Sequence, residues 1–149
     1  AVRQWAGADQ RTKRTSHHML SADQLRALAA SSYASIGAHT VNHPSLGGLS
    51  AEEQRYEILE AKHAVEEITG KDVVLFAYPF GGIIDYSLET IDILKNAGFL
   101  KAFSTTYKRK TKEPSFYEIP RVCISECTFQ DFIDKLSFYR IKDSYWWDR

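Results

Sequence analysis

From Ser21 onward the spacing of apolar positions switches between two periods in a regular order. SADQ is a Ser-x-x-Gln capping box, and Leu25, Leu28 and Ala29 follow at helical spacing, which predicts a helix over 22–31. YASIGA then reads as a short buried strand over 33–38. Ser50 and Glu53 form a second capping box, and Ile58, Ala61, Val65 and Ile68 keep one helix face apolar as far as Thr69-Gly70, where glycine suits a left-handed cap. VVLFAY, Val73 to Tyr78, is β-branched and aromatic and reads as a strand ended by Pro79 and Gly81-Gly82. Residues 86–97 read as helix with Gly98 as the stop, and FLKAFSTT as a strand over 99–105. KRKTKEPS is a polar loop, FYEIPRVCI is extended although Pro120 donates no ladder bond, and Thr128 caps a last helix over 129–139.

Alternating helices and strands with short loops imply an α/β fold, with parallel strands joined by crossover helices. In such sheets and barrels the chemistry gathers at the C-terminal ends of the strands. HTVNHP and YPFGG both fall at such ends.

Composition narrows the picture. A chain of 149 residues is expected to form one domain, and 44% apolar residues make it globular. The 19 basic and 19 acidic residues balance, so nucleic acid and anionic membrane are poor default partners. No apolar run reaches the length of a bilayer span, and the first residues form no signal-peptide pattern. The chain begins with Ala1 rather than Met, which is read as a processed, trimmed or partial chain. Cys123 and Cys127 are spaced CxxxC rather than CxxC, which supports neither a zinc knuckle nor a thioredoxin-like motif; they are taken as small buried side chains, with a disulfide or redox role as the alternative. Residues 1–20 show no period; His17 and His18 lie in a basic loop and are expected to be solvated.

The chemistry-bearing candidates are His39 and His43. Two imidazoles on one short loop can converge on one ion, although the pair alone is also compatible with structural loop histidines. The H-E-x-x-H helix of zinc proteases is excluded: Thr40 replaces the glutamate, and Pro44 disfavours helical backbone at His43. Thr40 and Asn42 are expected to brace the loop by side-chain hydrogen bonds.

GAHTVNHPSL closely resembles the H-[ST]-x-x-H-P metal motif of the NodB-type polysaccharide deacetylases, carbohydrate esterase family 4. The likeness runs from about Met19 to Ile133, through LSAEEQRYEILEAKHAVEEITGKDVVLFAYPFGG, NAGFLKAFSTT and EIPRVCI. The resemblance implies that His39 and His43 are two of three protein ligands to a divalent metal, zinc first, with cobalt, nickel or iron also accepted by such ligands. It implies a hydrolase acting on carbon–nitrogen bonds other than peptide bonds, which removes acetyl groups from N-acetylated or O-acetylated glycan with metal-activated water. It also implies that Tyr78, Pro79, Phe80 and Gly81 match a substrate-groove wall, with the Phe80 backbone N–H helping to hold the oxyanion.

The chain departs from that pattern in several places. The arginine of the R-x-P-Y motif falls on Ala77, and Arg121 of IPRV is the candidate to orient a carboxylate in its stead. No histidine follows His63, itself expected on a helix surface, so the late general acid has no counterpart. No T-F-D-D motif precedes Ser21, and Asp9 lies in no apolar strand. The expected organisation is an irregular segment over 1–20, a partial NodB-like domain over 21–140 and an aromatic tail over 141–149, whose Trp146 and Trp147 are expected to pack against the domain, with stacking on a sugar as the alternative. About four strands cannot close a barrel, so the expected fold is a partial, distorted (β/α) barrel with an open sheet edge. A second copy or the rest of a parent chain would cover that edge. The alternative reading is a non-catalytic relative that binds glycan or serves as a structural domain. The compartment, whether cell envelope, secreted or cytoplasmic, is not fixed by the sequence.

Overall fold

The computed structural model describes residues 19–106, 115–121 and 127–142. His17, His18, Asp9, Cys123, Trp146, Trp147, most of the KRKTKEPS loop and the aromatic tail lie outside the described residues.

Helix α1, Ala22–Ala30, starts at the expected capping box: Ser21 Oγ accepts the Gln24 N–H, and the Gln24 side chain accepts the Ser21 N–H. Helix α2, Ala51–Thr69, carries the same reciprocal cap between Ser50 and Glu53, and Gly70 ends it in left-handed backbone at φ 65°. Strand β1, Leu75–Ala77, precedes helix α3, Leu88–Asn96, which leads to strand β2, Lys101–Ser104. Strand β3 is the pair Ile119–Pro120, and helix α4 spans Phe129–Lys142 behind a Thr128–Asp131 cap. A 3₁₀ turn, Leu46–Gly48, leads towards α2.

The sheet is parallel, in the order β1-β2-β3, with Phe76 opposite Ala102 and Phe103 opposite Ile119. Ala38 extends it beyond β1 through one parallel bridge to Phe76. Parallel strands joined by crossover helices are what the alternation implied, and among the described residues the sheet is open, consistent with a partial, distorted barrel. Pro120 sits on the edge strand, where a missing donor is tolerated.

Two expectations are corrected. The strand over 33–38 shrinks to Ala38, because α1 is followed by a turn that leaves Tyr33 98% exposed, and pairing begins only where the chain reaches Leu75. Cys127 is exposed, on the loop just before the Thr128 cap, rather than buried.

The core lies between the sheet and helices α2 and α3. Phe76 meets Phe99 and Tyr78 edge to face, and Tyr78 stacks on Tyr86 with centroids 4.1 Å apart. Each such fully buried side chain contributes about 1.5–3 kcal/mol of transfer free energy, and the ring pairs add to it. Burial pushes the Tyr78 and Tyr86 hydroxyls well above their ordinary pKa. They stay protonated, and donate to Tyr117 O and to the buried Glu118 carboxylate. This aromatic floor fixes the C-terminal end of β1, from which the YPFGG turn departs.

Candidate metal loop and groove wall

Ala38 O accepts the Ala77 N–H at 3.0 Å, which lays the start of the HTVNHP loop beside the end of β1. The next side chain, His39, places Nδ1 2.6 Å from Ala77 O. A carbonyl oxygen only accepts, so Nδ1 is the donor, which in a neutral ring leaves the lone pair on Nε2. That is the arrangement by which a backbone carbonyl orients a metal-ligating histidine. The His43 ring lies edge to face on His39, with centroids 4.8 Å apart, and both residues are exposed. Two neutral-capable imidazoles turned towards one another suit a divalent ion of the zinc type. Among the described residues no group of three or more His, Cys, Asp or Glu forms a metal cluster.

The loop between the histidines is held under strain. Thr40 and His43 adopt left-handed backbone, φ 63° and 57°, which is unusual for a β-branched residue. Thr40 Oγ1 accepts the His43 N–H at 3.0 Å. Asn42 also braces the loop, but through a residue the sequence did not single out. Glu57 of α2 accepts the Val41 and Asn42 backbone N–H groups at 2.9 Å each and Asn42 Nδ2 at 2.7 Å. Burial works against the Glu57 charge, yet the hydrogen bonds from Asn42 and Val41 prevail and hold its carboxyl below the usual range.

YPFGG stands opposite. Tyr78, Pro79 and Gly81 are buried, and Phe80, 58% exposed, presents its ring at the surface of the turn. That ring meets His43 edge to face, with centroids 4.9 Å apart. Phe80 has φ 57°, and the Gly81 N–H closes a tight turn onto Pro79 O at 2.5 Å. Thr105 holds this turn by donating its hydroxyl to Phe80 O and its N–H to Gly81 O. Among the described residues the Phe80 N–H has no acceptor. Arg121 reaches the same turn from beside β3 and donates Nη2 to Tyr78 O at 2.7 Å. Its Nε is buried without a partner among the described residues, and burial draws the guanidinium pKa down. His63 is exposed on α2, as expected.

Asp85, also missed in the sequence, ties the two loops together. It accepts the Ser45 hydroxyl at 2.8 Å and the Gly82 N–H at 2.7 Å. Its backbone oxygen accepts the Gly47 N–H. Asp85 and Glu57 escaped the sequence reading because their partners lie 3–40 and 15–16 residues away. A helix-face pattern marks neither; the one available signal was a glutamate on the apolar side of α2, next to Ile58.

Comparison with known proteins places this arrangement. The family model "Polysaccharide deacetylase" matches residues 3–102. The match thus starts before Met19 and ends before the EIPRVCI segment. YxkH of Bacillus subtilis (strain 168), provisionally named a polysaccharide deacetylase, is 25% identical over 108 residues, covering 72% of this chain and 37% of YxkH. The Streptococcus pyogenes deacetylase PplD, solved in complex with acetate, superposes with a TM-score of 0.55 at 25% identity, over 61% of this chain and 38% of PplD. IcaB from Ammonifex degensii has the same fold, with a TM-score of 0.61 at 21% identity, over 80% of this chain and 53% of IcaB. The chain therefore spans about a third to a half of the proteins it matches. With its own family model matched along most of its length, the chain belongs to the polysaccharide deacetylase family.

Proposed function

We propose that this chain supplies the two-histidine metal loop and one groove wall of a hydrolase that removes acetyl groups from an N-acetylated glycan. The observation that carries this reading is His39: its Nδ1–H is fixed on Ala77 O, and its Nε2, beside His43 at a strand end, has no partner among the described residues. His39 and His43 would hold a divalent ion, zinc first. When bound, such an ion polarises the acetyl carbonyl and lowers the pKa of water.

This chain's own groups contribute charge stabilisation and positioning; the third metal ligand, the base and the general acid of the resembled pattern have no counterpart in it. The Phe80 N–H, without an acceptor among the described residues, donates to the oxygen that gains charge as the acetyl carbon becomes tetrahedral. The exposed Phe80 ring offers an apolar face to the sugar beside His43. Tyr78, Pro79 and Gly81 set that turn from beneath. Arg121 holds Tyr78 O and keeps a buried Nε–H for an acceptor, a donor suited to orienting a carboxylate. In the parent protein, acetate release from an N-acetylated chitooligosaccharide is expected to fall at least ~10³-fold in His39→Ala, in keeping with the loss of a metal-dependent step. Equal release from wild type and variant would refute this reading.

A further inference from the structure

Glu57 is a carboxylate on the core side of α2, 7% exposed, between the buried Ile58 and the helix start. A buried carboxylate is costly unless its lone pairs are filled. Its hydrogen-bond donors come from two of the three residues between the histidines. Oε2 accepts the N–H groups of Val41 and Asn42, and Oε1 accepts Asn42 Nδ2, all within 2.9 Å.

The other contacts of the loop do not replace these. His39 is fixed by Ala77 O before the turn, and Ser45 by Asp85 after it. The bond from His43 N–H to Thr40 Oγ1 is internal to the loop and anchors it to nothing. Left-handed backbone at both Thr40 and His43 persists only where the surroundings over-determine it. We infer that Glu57 is the positioning residue of this site: it clamps Val41 and Asn42 so that the backbone reverses between the histidines and the His43 ring faces His39. This rests on the metal reading above as to what the rings then hold, but the clamp itself exists without an ion.

The test compares the wild-type chain with Glu57→Ala, Glu57→Gln and Glu60→Ala, the last an exposed position of the same helix. Amide exchange of Val41 and Asn42 is followed in metal-free protein, and Zn²⁺ affinity by titration. Glu57→Ala is expected to speed exchange at both amides at least ~10-fold and to weaken Zn²⁺ binding about 10- to 100-fold, as loss of an outer-shell partner does. Glu57→Gln keeps one oxygen for the two backbone N–H groups, and a turned Asn42 amide meets its NH₂, so exchange and affinity stay within a few-fold of wild type. Glu60→Ala changes neither. If Glu57→Ala fails to fold, Asn42→Ala carries the test from an exposed position, with faster exchange at Val41 expected. Unchanged exchange in folded Glu57→Ala, or in Asn42→Ala where that variant stands in, overturns the clamp. A wild-type chain that binds no Zn²⁺ removes the metal reading alone, while the exchange data still decide the role of Glu57.

Discussion

Thr40, His43 and Phe80 hold left-handed backbone without being glycine, and all three lie on the two loops of the site. Gly81 follows at φ 76°, and a Cβ there would stand 2.8 Å from Thr105 N and 3.0 Å from Arg121 Nη2. Gly98 has a similar φ of 79° with nothing within 4 Å of such a Cβ. Gly98→Ala is therefore expected to cost about 1–2 kcal/mol of backbone strain alone. Gly81→Ala should cost clearly more, because Thr105 and Arg121 must also give way; urea denaturation of the two variants reads the difference. At this scale the histidines were legible, since H-x-x-x-H-P is a local pattern. Glu57 and Asp85 were not, because each looks like a solvated carboxylate until the fold brings distant donors onto it.

Among the elements, α2 does most to position the site. Its cap was written in Ser50 and Glu53 and its end in Gly70, so its limits were readable from sequence, and so was the burial of Ile58 and Ala61. Its link to the loop implies a pH dependence. The folded-state carboxyl of Glu57 lies below the ordinary value of about 4.3, so the native state stays charged where the unfolded chain is already protonated. That contribution is complete above about pH 4.3 and is lost as pH falls through the lower, folded value. Thermal melts between pH 7 and 3 should show a shallower acid limb in Glu57→Gln than in wild type. The slope that remains would come from Glu53, Glu66 and Asp131, whose carboxyls are also held low by hydrogen bonds, from Ser50, from Lys62 and Val73, and from Thr128. The strand expected over 33–38 failed for a local reason: its apolar residues resemble a buried strand, but only Ala38 lies close enough to β1 to pair.

For the molecule as a whole, the sheet of the described residues has β3 at one edge and the single Ala38 bridge at the other. Open edges of this kind were legible from the count of strands, because so few cannot close a barrel. We propose that a second copy or the remaining part of a parent chain pairs there. Sedimentation velocity should show concentration-dependent association of the isolated chain, and a strictly monomeric chain at high concentration would count against self-pairing. The central claim is that His39 and His43 together form the metal loop, with His39 held in one tautomer by Ala77. Long-range ¹H–¹⁵N spectra of the histidine rings during Zn²⁺ titration test it most directly, with His63 as the internal control. The account predicts a proton on His39 Nδ1 before Zn²⁺ is added, then shifts of His39 Nε2 and one His43 nitrogen together while His63 stays still. Rings of His39 and His43 that ignore Zn²⁺, or that respond no more than His63, would contradict it.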